Sequence, residues 1–113
     1  MAETFNRASA ALSTTSITDV YQAPNTNTAD RAIVLSCLVA NVDGVNTASV
    51  TIDITNSSNV AIAKIANTIA VPADASLEII ANKLVLKQGE KIRATASTGG
   101  DLEVTVSALE ITA

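Results

Sequence analysis

From residue 48 to residue 55 the chain alternates with a period of two: Ala48, Val50, Ile52 and Ile54 fall on one side, and Ser49, Thr51, Asp53 and Thr55 on the other. An extended strand places successive side chains on opposite faces, so this segment predicts one buried aliphatic face and one wet, hydroxyl-bearing face. Ile92, Ala94 and Ala96 alternate in the same way with Lys91, Arg93 and Thr95. Any fold built from such segments must layer its sheets so that the aliphatic faces meet.

Turn chemistry divides the rest into similar pieces. Residues 16–21 read as a short strand, broken by Pro24, Asn25, Thr26 and Asn27. Residues 31–42, RAIVLSCLVANV, are apolar on both faces apart from Ser36 and Asn41, as expected of a central strand covered on both sides. Asp43-Gly44 then signals a tight hairpin turn, since Gly supplies the positive φ. Asn56 to Asn59 make a turn, and residues 60–65 return as a strand with Lys64 suited to a sheet edge. Residues 68–71 end at Pro72. Short strands follow at 77–81 and 83–86, then a turn at Gln88-Gly89-Glu90. Gly99-Gly100 is expected to close a last hairpin. In the final stretch, LEVTVSALEITA, Leu102, Val104 and Val106 point inward, while Leu109 and Ile111 demand the opposite parity. A β-bulge near Ser107 and Ala108 would absorb the slip.

Strands recurring about every ten residues, with turn signals between them and no amphipathic helix, predict an all-β, two-sheet antiparallel β-sandwich, jelly-roll or immunoglobulin-like in topology. The chain has 113 residues, the size of one domain, and 48% of them are hydrophobic, which removes it from the composition of disordered chains. The domain is expected over residues 14–113. Residues 1–13 show neither strand nor helix period and are expected to form a flexible N-terminal arm, anchored on a neighbouring subunit through Phe5 with Arg7 beside it. Deleting residues 2–12 is accordingly expected to spare the fold and weaken assembly.

The chemistry of catalysis is missing from the composition. The chain has no histidine, the commonest general base and metal ligand. Lys64, Lys83, Lys87 and Lys91 fall on polar sides or at turns. Asp30, Asp43, Asp74 and Asp101 lie in expected loops without the dense ligand spacing of a calcium loop. Gly99-Gly100 precedes no helix that would present its N-terminus to a phosphate. No enzymatic activity, cofactor or metal is expected. A formal net charge of −4 disfavours nucleic acid as a partner. Cys37, the single cysteine, reads as a small buried hydrophobe compatible with a reducing cytoplasm. Residues 1–20 hold no apolar core of a signal peptide and no run is long enough to span a bilayer, so a soluble chain without a membrane partner is expected. Lys83, Lys87, Lys91 and Arg93 cluster in sequence. Lys83, Lys87 and Arg93 fall on expected outward faces, either a solvated face balanced by Glu78 and Glu103 or a docking surface for an acidic partner.

Several stretches taken together, YQAP at 21–24, AIVLSCLVANVDG, SVTIDIT, IAVPADASLEI and LVLKQGEKIRATAS, resemble small structural proteins of tailed bacteriophages. The resemblance runs from about Tyr21 onward and rests on strand pattern and turn placement. It implies a β-sandwich of the virion, assembled in the host cytoplasm, that oligomerises as a trimer or ring and meets other virion proteins. Among the positions it implies, a capsid decoration or cement protein bound to the major capsid protein is preferred to a neck or tail subunit. Phe5, Arg7, Lys83, Lys87 and Arg93 are the candidate assembly contacts. A carbohydrate-binding or adhesion module is the alternative from another class, although Tyr21 alone offers a sugar-stacking surface.

Overall fold

Residues 31–41 cannot satisfy their backbone alone, and the way the chain provides partners for them decides the topology. The computed structural model describes residues 2–80 and 82–112. Its strands are β1 (Ala2–Leu12), β2 (Thr18–Gln22), β3 (Arg31–Asn41), β4 (Ala48–Thr55), β5 (Ala61–Val71), β6 (Ser76–Glu78), β7 (Leu84–Lys87), β8 (Lys91–Ala96) and β9 (Leu102–Thr112). No helix occurs among the described residues.

One sheet, sheet A, runs β1-β9-β3-β6, with β7 also paired to β3; the other, sheet B, runs β2-β8-β4-β5. All the pairings are antiparallel. Counting β6 and β7 as one interrupted strand, the pairs are nested: β1 with β9, β2 with β8, β3 with β6 and β7, β4 with β5. Successive nested pairs alternate between the two sheets. That order is a jelly roll, and it decides between the two topologies expected from the sequence.

The nesting corrects two expected hairpins. Asp43-Gly44 does reverse the chain, but β3 is flanked on both edges by β9 and by β6 and β7, so β4 finds no free edge there and crosses to sheet B. Asn41, only 3% exposed, clamps this crossing: its side-chain amide donates to the carbonyls of Asn46 and Val71 at 2.9 Å each and accepts from the Asp43 N–H at 2.9 Å. Gly99-Gly100 likewise carries the chain between sheets, from β8 to β9. The turn at 56–59 joins β4 and β5, which do pair, and β5 is the edge strand that Lys64 indicated. Residues 68–71 continue β5 after an irregularity at Thr68, whose φ is 50°. The short strand expected at 77–81 is confined to Ser76–Glu78, and Ala81 lies outside the described residues.

The aliphatic faces meet as the alternation requires. Val50, Ile52, Ile92 and Ala94 from sheet B and Val34, Val39, Val104 and Val106 from sheet A are all 0% exposed. Each such Val, Ile or Leu contributes about 1.5–3 kcal/mol.

The N-terminal stretch differs from the arm expected over residues 1–13. Ala2–Leu12 is an 11-residue strand in register with β9 from Ala2 opposite Thr112 to Leu12 opposite Leu102. Its inward positions Ala8 and Ala10 pack against the core, and Leu12 is 0% exposed. Residues that are mostly small or polar hide this strand from a periodicity search, because only its last third is covered. Met1 lies outside the described residues.

Candidate assembly surface

The two sheets turn opposite chemistries outward. On sheet B the outward positions form ion pairs across strands: Arg93 with Asp19 at 2.7 Å, Lys91 with Asp19 at 3.3 Å and Lys64 with Asp53 at 3.4 Å. On sheet A the registers place Phe5 opposite Leu109, Leu109 opposite Ile33, and Ile33 opposite Val85, so four apolar side chains form one row across four strands. Phe5 is 76% and Val85 58% exposed, while Ile33 and Leu109 are half-buried by their neighbours in the sheet. None of the four belongs to the core or to the residues packed against it.

Two anomalies of the sequence resolve into this surface. Residues 31–42 are apolar on both faces, yet only one face of β3 is covered: Ile33 lies half-buried on the other, Leu38 is 38% exposed there, and the bulged Leu35 is 39% exposed. The parity slip in β9 is likewise not absorbed where expected. β9 keeps its register against β1 through Ser107 and Ala108, and the bulge sits on β3 instead, at Leu35 between Val34 and Ser36. Leu109 and Ile111 therefore stay on the outward face with Ser107. The bulged Leu35 helps to wall a shallow, open groove of about 400 Å³ lined by Phe5, Asn6, Arg7, Leu35, Ser107 and Ala108.

Of the candidate contacts, Phe5, Arg7 and Lys87 share the outer face of sheet A, and Lys83 is exposed in the bend that leads into β7. Arg93 lies on the other sheet, held by Asp19, so the sequence cluster of basic residues is divided between two surfaces. Its expected balance by Glu78 is also not what is found. Glu78 fills the gap in the ladder between β6 and β7, where its carboxylate accepts from the Cys37 N–H at 2.8 Å, the Ile80 N–H at 3.2 Å and the Ser36 hydroxyl. These donors lower its pKa against the opposing effect of desolvation.

Two of the loop aspartates, Asp30 and Asp43, serve turns. The buried Asp30 carboxylate accepts from the Thr26 N–H, the Thr26 hydroxyl and the Asn27 N–H, each at 3.0 Å. Asp43 accepts from the Val45 N–H at 2.8 Å and the Asn46 amide at 3.1 Å, which lowers its pKa. No cluster of three or more metal-ligating side chains occurs among the described residues.

Burial alters the titration of Tyr21 and Cys37. The Tyr21 hydroxyl donates to Glu110 at 2.6 Å, and Asn6 donates to the same oxygen at 3.1 Å, tying β2 to the two strands of sheet A. Desolvation first, then the Glu110 hydrogen bond and charge, raise the Tyr21 pKa well above its ordinary 10.0. The native state thus keeps a proton that the unfolded chain loses near pH 10. The contribution is whole below that pH and is lost as pH rises from 10 through the raised native value. Because Tyr21 is the single tyrosine and Trp is absent, phenolate absorbance reads this group alone. Titration of the folded protein is expected to show no phenolate near pH 10, and Tyr21→Phe is expected to flatten the alkaline fall in stability.

Cys37 is 0% exposed, and desolvation, with the nearby Glu78 charge, pushes its thiol up to about 12. A disulfide reagent at pH 8 is expected to leave it unmodified in the folded protein and to react completely in denaturant.

The chain is thus defined as a jelly-roll sandwich with an ion-paired outer face on one sheet and an uncovered apolar row on the other. No family model matches the chain, and no curated protein matches it in sequence. Solved structures share the fold. One is a chain of the acidic stable capsid of Helicobacter pylori bacteriophage KHP30, with a TM-score of 0.55 and 8% identity over 99% of this chain and 89% of that one. Another is a chain of the Bacillus endospore appendages, described as a novel family of disulfide-linked pili, with a TM-score of 0.52 and 13% identity over 98% of this chain and 85% of that one.

Proposed function

We propose that this protein is a non-enzymatic structural subunit of a bacteriophage virion, a capsid decoration protein that binds the shell as a homo-oligomer and stabilises it. The observation that carries the reading is the outer face of sheet A, where an apolar row spans four strands of a domain whose core is already complete. Burying such a row against protein is favourable by about 25 cal/mol per Å², and a surface of this kind marks an interaction site. The likeness of fold to a phage capsid chain and a pilus chain, both parts of assemblies by their descriptions, supports the same class of role. Its partners would be further copies and the major capsid protein, and its place the virion.

The test is co-sedimentation of the purified chain with undecorated capsids of the encoding phage, followed by electron cryomicroscopy. Saturable density on the shell, with slower heat disruption of the decorated particle, is the expected result. Density confined to the neck or tail would move the protein there, and binding to a defined glycan without any particle association would overturn the structural reading.

A further inference from the structure

We infer that the outer face of sheet A is a self-complementary contact through which two copies pair face to face about a two-fold axis. The inference rests on the reading of the protein as an assembling subunit and adds to it the surface and the symmetry of one contact.

Three outward rows follow from the strand registers. The first is Glu3–Ile111–Arg31–Lys87, the second Phe5–Leu109–Ile33–Val85, and a third, nearer the other end, Ser9–Thr105–Leu38–Glu78. A second copy, turned by 180° about an axis parallel to the strands and midway between β9 and β3, exchanges left for right. Phe5 then lies over Val85, Leu109 over Ile33, and Glu3 over Lys87. The large ring thus meets a smaller side chain at the two flanks, the half-buried aliphatics meet at the centre, and opposite charges meet at the rim. An isologous contact needs that kind of self-matching, residue i on j and j on i. Its strand axes stay within the roughly 30° crossing of aligned sheets, with each facing pair, β1 over β7 and β9 over β3, antiparallel.

The area is sufficient. Four strands about 4.8 Å apart and about 35 Å long present a face of roughly 700 Å², close to the roughly 800 Å² that each partner contributes to a standard interface. The outer face of sheet B lacks such a row, since its charges are already paired within the chain. A two-fold contact closes neither a trimer nor a ring. It joins two such assemblies, or two copies on adjacent sites of a shell.

Sedimentation equilibrium of the purified full chain tests the inference, with a concentration-dependent dimer as the expected result. Val85→Asp places a charge on an exposed position outside the core, so its circular dichroism and melting temperature should match the parent while the dimer Kd rises at least about tenfold. Glu3→Lys and Lys87→Glu should each weaken the dimer, and the double exchange should restore it. A parent chain that stays monomeric, a dimer indifferent to Val85→Asp, or a double exchange without rescue would each overturn the proposal. Particle binding separates this from the functional reading. A monomer that still decorates capsids removes only the two-fold contact, whereas a dimer that binds no particle removes the virion role and leaves the contact standing.

Discussion

Ile52→Asp is expected to abolish the folded state near neutral pH, or to leave so little stability that it melts well below the parent. Ile52 is 0% exposed and sits on the inward side of β4, opposite Ala94 of β8 and Ala66 of β5. Both facing residues are themselves buried, and neither offers a hydrogen-bond donor from its side chain. An aspartate there would be either an unpaired buried charge or a carboxylic acid protonated at great cost, and it would forfeit the aliphatic contacts of isoleucine as well. The loss is expected to be about 4 kcal/mol or more, against a total of about 5–15 kcal/mol for a domain. Urea denaturation followed by circular dichroism checks it. Ser49→Asp on the outward face of the same strand is the control and should change the midpoint little.

Removal of β1 carries the second large effect, and it reverses the expectation that residues 2–12 are dispensable to the fold. Deleting 2–12 strips β9 of a partner along its whole length and takes away Leu12, which is 0% exposed, together with Ala8 and Ala10. Leu12→Ala alone is expected to cost about 2–5 kcal/mol, so the full deletion should produce a chain that unfolds at low denaturant or does not fold. Residues 2–7 are exposed, Asn6 among them, although its amide contacts Glu110. Deleting only these should therefore be far milder for stability. Any loss of self-association in the shorter deletion would then report on Phe5 and Glu3 and not on folding. Thermal melts of the two truncations beside Leu12→Ala separate the effects.

Much of the architecture was legible in the residues because burial and turn chemistry are local. The alternation at 48–55 and 91–96 corresponds to β4 and β8 with the expected faces inward. Turn positions at 56–59 and 88–90 stand where the polar and glycine residues put them. Gly89 has φ 69°, and a Cβ there would lie 2.6 Å from the Asn25 side chain, so the turn requires glycine twice over. What local chemistry does not carry is the destination of the returning strand. Asp43-Gly44 and Gly99-Gly100 specify reversal, but whether the next strand pairs with the last or crosses to the other sheet depends on which edges are already taken.

The surface was written in the sequence as a contradiction. A β3 segment apolar on both faces and a β9 segment with broken parity each read as a defect in a simple sandwich, to be removed by a covering layer or a bulge. Both instead leave Ile33, Leu38, Leu109 and Ile111 on one outward face, and the bulge that does exist, at Leu35, lies on the strand opposite the one expected. Periodicity reports whether a face is apolar. It does not report whether this chain or another one covers it.

The nested order also sets the timing of folding. β9 runs between β1 and β3 and is the last of the nine strands to leave the ribosome, so nascent β1 and β3 wait, unpaired with each other, until nearly all of the domain has been made. Only β4 and β5 meet a neighbour in sequence, and the remaining pairings span long stretches of chain, which places this protein among slow, late folders. Sheet A, and with it the aliphatic row, is completed only when β9 docks, so the sticky face comes into being only after every strand of the domain has been made.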